Sequence, residues 1–357
     1  MKVAFQVIPY TLRFRFEAGT SRGSLTEKET WFIKATRTDD DYVIGWGEAS
    51  PLKGLSMDYS TDYGKKLRAV LDHLEGLDIP EENLLDFIGA NTPEEMPSVR
   101  FGVETALLDV SNGGGHKIFP GAFTEGKQRI PINGLVWMGD RQFMQRQIDE
   151  KLRAGFNTIK MKVGAIDFET EYQLLENLRE KYTTEDLTLR VDANGAFTEK
   201  DVVEKLTALA GLGIHSIEQP IKPGQRDLMF DLCHAELLPI VLDEELIGVN
   251  SHDERKLLLE ETQPQYIILK PSLLGGIKAC EEWIALAESM HIGWWMTSML
   301  ESNIGLNAIA QFTDRYQPEL PQGLGTGQLY HNNITSPLLI KKGHLHYFVN
   351  GEWQLTL

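Results

Sequence analysis

The sequence predicts an α/β chain: a (β/α)-barrel preceded by an α+β region. Three observations carry that expectation. From Ile130 onward, short apolar stretches closed by turn residues alternate with amphipathic helical stretches. Such alternation implies a parallel sheet with right-handed crossovers. Charged residues end four successive strands, Asp192, Glu218, Asp243 and Lys270, at intervals of 26, 25 and 27 residues, about one βα unit each. The first fifty or so residues instead alternate like antiparallel strands. A doubly wound open sheet suits the alternation equally well. The closed barrel is favoured because its C-terminal mouth gathers all the strand-end charges in one place.

Taken in order, Val3 to Phe16, Glu29 to Thr38 and Tyr42 to Glu48 read as strands, with Thr38-Asp39-Asp40-Asp41 as the turn between the last two. Residues from about 60 to 112 show helical periodicity, clearest in Val99 to Val110 and stopped by Asn112-Gly113-Gly114-Gly115. An acidic, proline-bearing connection, Glu81 to Met96, interrupts this block. The barrel strands are expected at Pro131 to Met138, Thr158 to Val163, Leu187 to Asp192, Ser216 to Glu218, Ile240 to Asp243, Tyr266 to Lys270, Trp294 to Ser298 and Leu324 to Thr326. Eight strands in about 200 residues are slightly compact against the ~250 typical of the closed fold.

Composition narrows the function. The 357 residues are 42% hydrophobic and 24% charged, as in globular proteins with a sizeable core. A net charge of −17 excludes a nucleic-acid or anionic-membrane partner, because both require a basic face. A small anionic substrate is still compatible, since a buried site sets its own field. Cys233 and Cys280 form no Cys-x-x-Cys pair, so reduced thiols in a cytoplasmic protein are expected. The N-terminus alternates like a strand, meets Arg13 and Arg15, and lacks the apolar core of a signal peptide. No run approaches the ~18 apolar residues of a membrane helix.

Lys160 and Lys162, in Thr-Ile-Lys-Met-Lys-Val-Gly, are the most telling pair. Residues i and i+2 of a strand share a face. Two ammonium groups side by side in a core-facing strand require nearby anions. Asp192, Glu218 and Asp243 supply them from the next three strands, and Lys270 follows on a fourth. Three carboxylates without His or Cys suit a hard cation such as Mg²⁺, with Mn²⁺ as a possible substitute, rather than Zn²⁺. Strand-end acids also cap helices, but three in register between lysines point to a site. An ammonium and a cation beside a lysine favour its neutral amine, so one lysine becomes a base for a proton alpha to a carboxylate. Arg190 and Asn194 share a face with Asp192 and are candidate substrate contacts; Arg190 pairing structurally with the acids is the alternative. Ser298, ending the seventh strand, is a candidate hydrogen-bond donor.

These residues resemble the enolase superfamily, specifically its muconate-lactonizing branch, with Lys-x-Lys on one strand opposite a single Lys. A lysine base with Mg²⁺ and an enediolate is known for that superfamily. The likeness extends over essentially the whole chain. Within the branch it is to the o-succinylbenzoate synthase family of menaquinone biosynthesis. It is carried by Pro131-Ile-Asn-Gly-Leu-Val-Trp-Met-Gly, Arg190-Val-Asp-Ala-Asn, Met299-Leu-Glu-Ser-Asn-Ile-Gly-Leu, Gly19-Thr-Ser-Arg-Gly and Gly323-Leu-Gly-Thr-Gly-Gln-Leu.

The resemblance implies an enolase-type, TIM-like barrel over 126–330. It also implies an N-terminal α+β capping domain over 1–125 and a C-terminal segment, 331–357, returning to the cap. It makes Asp192, Glu218 and Asp243 metal ligands, Lys162 the base, Lys270 the stabilising cation on the opposite face, and Lys160 the support of Lys162. Thr326 joins Arg190, Asn194 and Ser298 as a candidate substrate-binding residue. The implied activity is that of a hydro-lyase, removing water from a succinyl-hydroxycyclohexadiene carboxylate. Alternation is expected to turn Glu244, which follows Asp243, away from the site. A racemase of N-acylamino acids or a dipeptide epimerase is the alternative reading. The epimerases carry acids near the eighth strand, whereas Gly323 to Gln328 contains none. A muconate-type cycloisomerase is more distant. Arg22, in the Gly19 to Ser24 loop, is a further candidate for closing over an anion.

Overall fold

The computed structural model describes residues 1–20, 23–164 and 166–355. The expectation for Arg22 therefore lies outside the described residues.

The N-terminal sheet is antiparallel, with β1 (Val3–Thr20), β2 (Gly23–Arg37) and β3 (Ile44–Ala49) in that order. The β1–β2 ribbon is longer than its expected ends at Phe16 and Glu29, because pairing resumes after an irregularity between Arg13 and Ala18. The extension leans on the barrel, where Gly19 bridges Met138. A Cβ on Gly19 would stand 2.6 Å from Met138 O, so this approach requires glycine.

Three helices cover the other side of the sheet: α1 (Tyr63–Glu75), α2 (Leu84–Asn91) and α3 (Pro97–Ser111). Leu67, Val70, Leu71 and Leu74 recur at helical spacing on α1 and are buried against Val3, Phe5 and Ile33 of the sheet. The stretch Glu81 to Met96, expected to be a connection, contains α2. Leu84 and Ile88, one turn apart, anchor it in the same core.

The second sheet has seven parallel strands in sequence order: β5 (Gly134–Val136), β6 (Thr158–Lys162), β7 (Thr188–Asp192), β8 (Ser216–Glu218), β9 (Ile240–Leu242), β10 (Tyr266–Leu269) and β11 (Gly293–Met296). Helices α4 (Arg141–Arg153), α5 (Phe168–Arg179), α6 (Val202–Gly211), α7 (Arg226–His234), α8 (His252–Thr262) and α10 (Gly276–Ser289) connect the strands, with a short α9 (Pro271–Leu274) after β10. Helix α11 (Asn303–Asp314) follows β11. Several helices start where side chains satisfy their free N–H groups, as at Asp140, Asp167 and Ser302, and at the Ser251–Glu254 capping box.

The expected eighth strand at Leu324–Thr326 is corrected. Closure occurs earlier, where Gln322 bridges Ile132 and Gly323 bridges Thr297. Four backbone hydrogen bonds of 2.8–3.1 Å join Gln322 to Pro131 and Asn133, and Gly323 to Met296 and Ser298. Thr326–Gln328 then coils into a 3₁₀ turn. The curled sheet is thus a TIM-like barrel whose eighth position is a two-residue crossing.

The expected first strand, Pro131–Met138, is divided. β4 (Arg129–Pro131) pairs with the C-terminal hairpin β12 (Leu338–Lys341) and β13 (His344–Tyr347), and only β5 joins the barrel. Before that hairpin the chain runs along β1: Arg15 N–H donates to Leu329 O at 2.8 Å and Tyr10 Oη to Asn332 O at 2.8 Å. After it, Trp353 stacks on His116 with ring centroids 4.0 Å apart. No helix among the described residues is long and apolar enough to cross a membrane.

Candidate active site

A cavity of about 370 Å³ opens at the C-terminal ends of the barrel strands and is roofed by the N-terminal region. Its polar floor holds Lys160, Lys162, Asp192, Asn194, Glu218 and Lys270. Strand register explains the convergence. Lys162 of β6 pairs with Asp192 of β7, which pairs with Glu218 of β8, so the three form one row across adjacent strands. Asp243 and Lys270 follow at the ends of β9 and β10. Three strands separate β6 from β10, which sets the single lysine opposite the lysine pair in a closed barrel.

The charges are tightly paired. Lys160 Nζ donates to Glu218 and lies 3.1 Å from Asp192 Oδ2. Lys162 Nζ lies 2.9 Å from Asp192 Oδ2 and 2.6 Å from Asn194 Oδ1. Lys270 Nζ donates to Asp243. Burial alone presses Lys160 downward, but Asp192 and Glu218 outweigh it and raise its pKa, so Lys160 stands as an ammonium beside Lys162. Lys270 is raised in the same way: burial opposes, and Asp243 and Glu218 prevail. Burial pushes Asp192 up, yet Lys160 and Lys162 hold it below the usual carboxylate range. Glu218 is pushed well up by burial and by the neighbouring Asp192.

Among the described residues no three acidic, imidazole or thiolate groups already converge as a closed ligand set, because the ammonium groups stand between the acids. The donors nevertheless fit a hard divalent cation. They are all oxygens on neighbouring strands, and the buried Glu218 Oε1 has no hydrogen-bond partner.

Asn194, Ser298 and Thr326 line the cavity wall. Ser298 Oγ donates to Glu301 Oε2 at 2.5 Å. The expectation for Arg190 is corrected, because its side chain is absent from the wall. It shares a face with Asp192 but sits one layer deeper, where the barrel interior is filled. It is 1% exposed, stacked 4.0 Å over the Trp295 ring, and its Nη1 donates to Pro321 O at 2.7 Å. Burial draws its pKa down to about 10. It makes no ion pair with the acids among the described residues, so the alternative of a structural pairing is not what holds it either.

Glu244 is a second correction. The 3₁₀ turn Glu244–Leu246 breaks strand alternation after β9, so its carboxylate accepts Asn194 Nδ2 at 3.0 Å instead of turning away. Sequence reasoning also missed the apolar wall. Phe16 and Trp137, with ring centroids 6.1 Å apart, face Leu52, Leu55, Met299 and Leu300. Trp137 lies within a motif already singled out, whereas Leu52 and Leu55 lie in a turn-rich segment with no periodic signal.

Comparison with known proteins finds relatives along nearly the whole chain. Residues 143–348 match the family described as enolase C-terminal domain-like. The chain is 45% identical over 357 residues to an o-succinylbenzoate synthase from Desulfotalea psychrophila, covering 94% of this chain and 96% of the relative. The crystal structure of MenC from Desulfotalea psychrophila superposes with a TM-score of 0.87 at 40% identity, covering 97% of this chain and all of that one. An L-Ala-D/L-Glu epimerase from Bacillus subtilis is 26% identical over 286 residues, 77% of this chain and 75% of that one. The relatives are enzymes, and members of this superfamily generally use Mg²⁺. The charged barrel mouth and these likenesses lead to one assignment: the chain belongs to the enolase superfamily.

Proposed function

We propose that the chain is a hydro-lyase that dehydrates 2-succinyl-6-hydroxy-2,4-cyclohexadiene-1-carboxylate to 2-succinylbenzoate. The observation that carries the reading is the row Lys162–Asp192–Glu218 facing Lys270 across the cavity. The 45% near-full-length likeness to an o-succinylbenzoate synthase selects this reaction within the superfamily.

Asp192, Glu218 and Asp243 are the residues that would hold Mg²⁺, or Mn²⁺ in its place. A cation held there supplies positive charge to the substrate carboxylate and to the negative charge that develops on it. Lys162 Nζ takes the proton alpha to the ring carboxylate, and the C–H electrons move toward that carboxylate. The electrons then return to form the ring double bond as the C–O bond breaks. The departing hydroxide recovers the proton from Lys162 and leaves as water, which makes the ring aromatic. Lys160 carries a positive charge beside Lys162 and holds Asp192 and Glu218 in place. Lys270 balances the anion from the opposite side. Asn194, Ser298 and Thr326 orient the polar groups, and Phe16 and Trp137 exclude water around the ring. The buried free thiols Cys233 and Cys280 suit a cytoplasmic setting.

The test is direct. The purified chain, with Mg²⁺, is given the cyclohexadiene substrate and, separately, an N-succinylamino acid. Rapid appearance of the aromatic product supports the reading. Racemisation without dehydration would replace it with the alternative.

A further inference from the structure

Lys28, on β2 of the N-terminal sheet, is 3% exposed and, among the described residues, bonds none of the charged row. Its three ammonium hydrogens match three oxygens: Ser50 Oγ at 2.5 Å, Met299 O at 3.0 Å and Leu300 O at 3.0 Å. Burying an ammonium is costly when no carboxylate pairs with it directly. Among the described residues none does within 4 Å. Glu301 and Glu48 only contribute field, and burial lowers the pKa of Lys28.

The segment it grips is itself unusual. Leu300 has φ of 64°, in the left-handed region that leucine rarely adopts. Its carbonyl accepts a second donor, Tyr330 Oη, at 2.7 Å. Glu301 fastens the same segment from below, accepting Ser298 Oγ at 2.5 Å, Met299 N–H at 2.7 Å and Ser272 Oγ at 2.5 Å. Strained backbone persists where its surroundings over-determine it, commonly at functional sites.

The three oxygens held by Lys28 lead to two walls of the cavity. Ser50 precedes Leu52 and Leu55, which line it from the N-terminal region, and Met299 and Leu300 line it from the barrel. We propose that Lys28 is a positioning residue: it ties the two walls together and fixes the strained Met299–Leu300 segment so that the cavity is shaped for the substrate's apolar ring. This rests on the dehydration reading only for the identity of the ring. Lys28 touches none of the reacting groups, so its loss acts on substrate binding more than on the chemical step.

The experiment compares the full-length chain with Lys28→Met, which keeps the apolar stem and removes the donors, and with Tyr330→Phe, which removes one donor without unpairing a charge. Steady-state kinetics are combined with amide hydrogen exchange. The expected result for Lys28→Met is a KM raised about tenfold or more with kcat within about threefold, since small misplacements near a site are costly. Exchange at Met299 and Leu300 should rise while the barrel strands stay protected. Lys28→Arg should recover part of the KM. Tyr330→Phe should shift both readouts the same way by less, and it decides the matter if Lys28→Met does not fold. Unchanged KM and unchanged local exchange would overturn the proposal, as would a loss confined to kcat. If the unaltered chain does not dehydrate the substrate, the functional reading fails separately. The exchange pattern, and binding of 2-succinylbenzoate to the same variants, still decide the role of Lys28.

Discussion

Lys162 Nζ stands 2.6 Å from Asn194 Oδ1, closer than it stands to any carboxylate oxygen among its recorded partners. Asn194 has φ of 44°, a left-handed conformation that asparagine tolerates. Its backbone N–H is held by Asp192 Oδ1 at 3.0 Å and its amide Nδ2 by Glu244 Oε1 at 3.0 Å. The side chain cannot turn away without giving up that bond to Glu244. Asn194 is thus a bracket that aims the lysine.

Replacing Asn194 separates aim from backbone strain. Asn194→Gly keeps the positive φ at no steric cost, and Asn194→Ala does not. A hydrogen bond to a charged group is worth about 1.5–3 kcal/mol, so Asn194→Gly should lower kcat by roughly ten- to a hundredfold. Asn194→Ala should add a fall in thermal midpoint. Turnover and melting curves of the two variants check this, and equal kcat in Asn194→Gly and the unaltered chain would remove Asn194 from the machinery.

Lys162 itself should be indispensable. A positioned general base contributes about 10²–10⁴-fold, so Lys162→Ala should lose at least that much turnover while keeping its circular dichroism. Near-normal turnover would sink the assignment. In the cavity Lys270 faces the pair from β10, and Lys270→Ala should also be crippling, because its charge has no substitute on that side.

Cation dependence follows from the all-oxygen donors Asp192, Glu218 and Asp243. Chelation should abolish activity, and Mg²⁺ or Mn²⁺ should restore it. Glu218→Gln should raise the Mg²⁺ concentration for half-maximal activity, since one anionic ligand becomes neutral. Full turnover in excess chelator would refute the metal's part.

Arg190 should matter to stability rather than to substrate. Its guanidinium lies over Trp295 in a sealed layer beneath the row. Truncation to Ala empties a large volume, and large-to-small core changes cost about 2–5 kcal/mol. The denaturant midpoint of Arg190→Ala should fall strongly, with KM close to normal in whatever fraction is folded. A raised KM at unchanged stability would return Arg190 to the substrate.

The row of charges was legible because strand periodicity and βα spacing are strict: Asp192, Glu218, Asp243 and Lys270 each end a strand, and register does the rest. Depth was not legible. Arg190 and Asp192 share a face, and nothing in alternation says that one lies at the mouth and the other in the filled interior. Alternation also fails where the strand stops, which is why a 3₁₀ turn brings Glu244 to Asn194. The eighth strand was misplaced because a two-residue crossing has no period to read. Helix α2 was hidden because its acidic, proline-bearing flanks resemble a linker. The grip of Lys28 on Leu300 joins residues 272 positions apart and needs the tertiary fold to be seen.

The same long-range docking predicts a pH effect. Glu104, on α3, accepts N–H groups from the first turn of α10: Ile277 closely, and Lys278 at 3.4 Å. A Cβ on Gly276 would stand 2.2 Å from its Oε2, so glycine makes the approach possible. Burial pushes the carboxyl up from 4.5 to about 8, against those hydrogen bonds. Between these values the folded chain holds a proton that the unfolded chain has released. Stability is therefore greatest below about pH 4.5 for this group and declines as pH rises toward about 8, then levels. Asp109, pushed up to about 7 by burial, adds a decline of the same sign. Glu104→Gln keeps an acceptor for Ile277 but cannot ionise. Its urea midpoint should fall less between pH 5 and pH 8 than that of the unaltered chain, with a residual slope from Asp109. Parallel midpoint curves for the two proteins across that range would show that Glu104 is already ionised in the folded state.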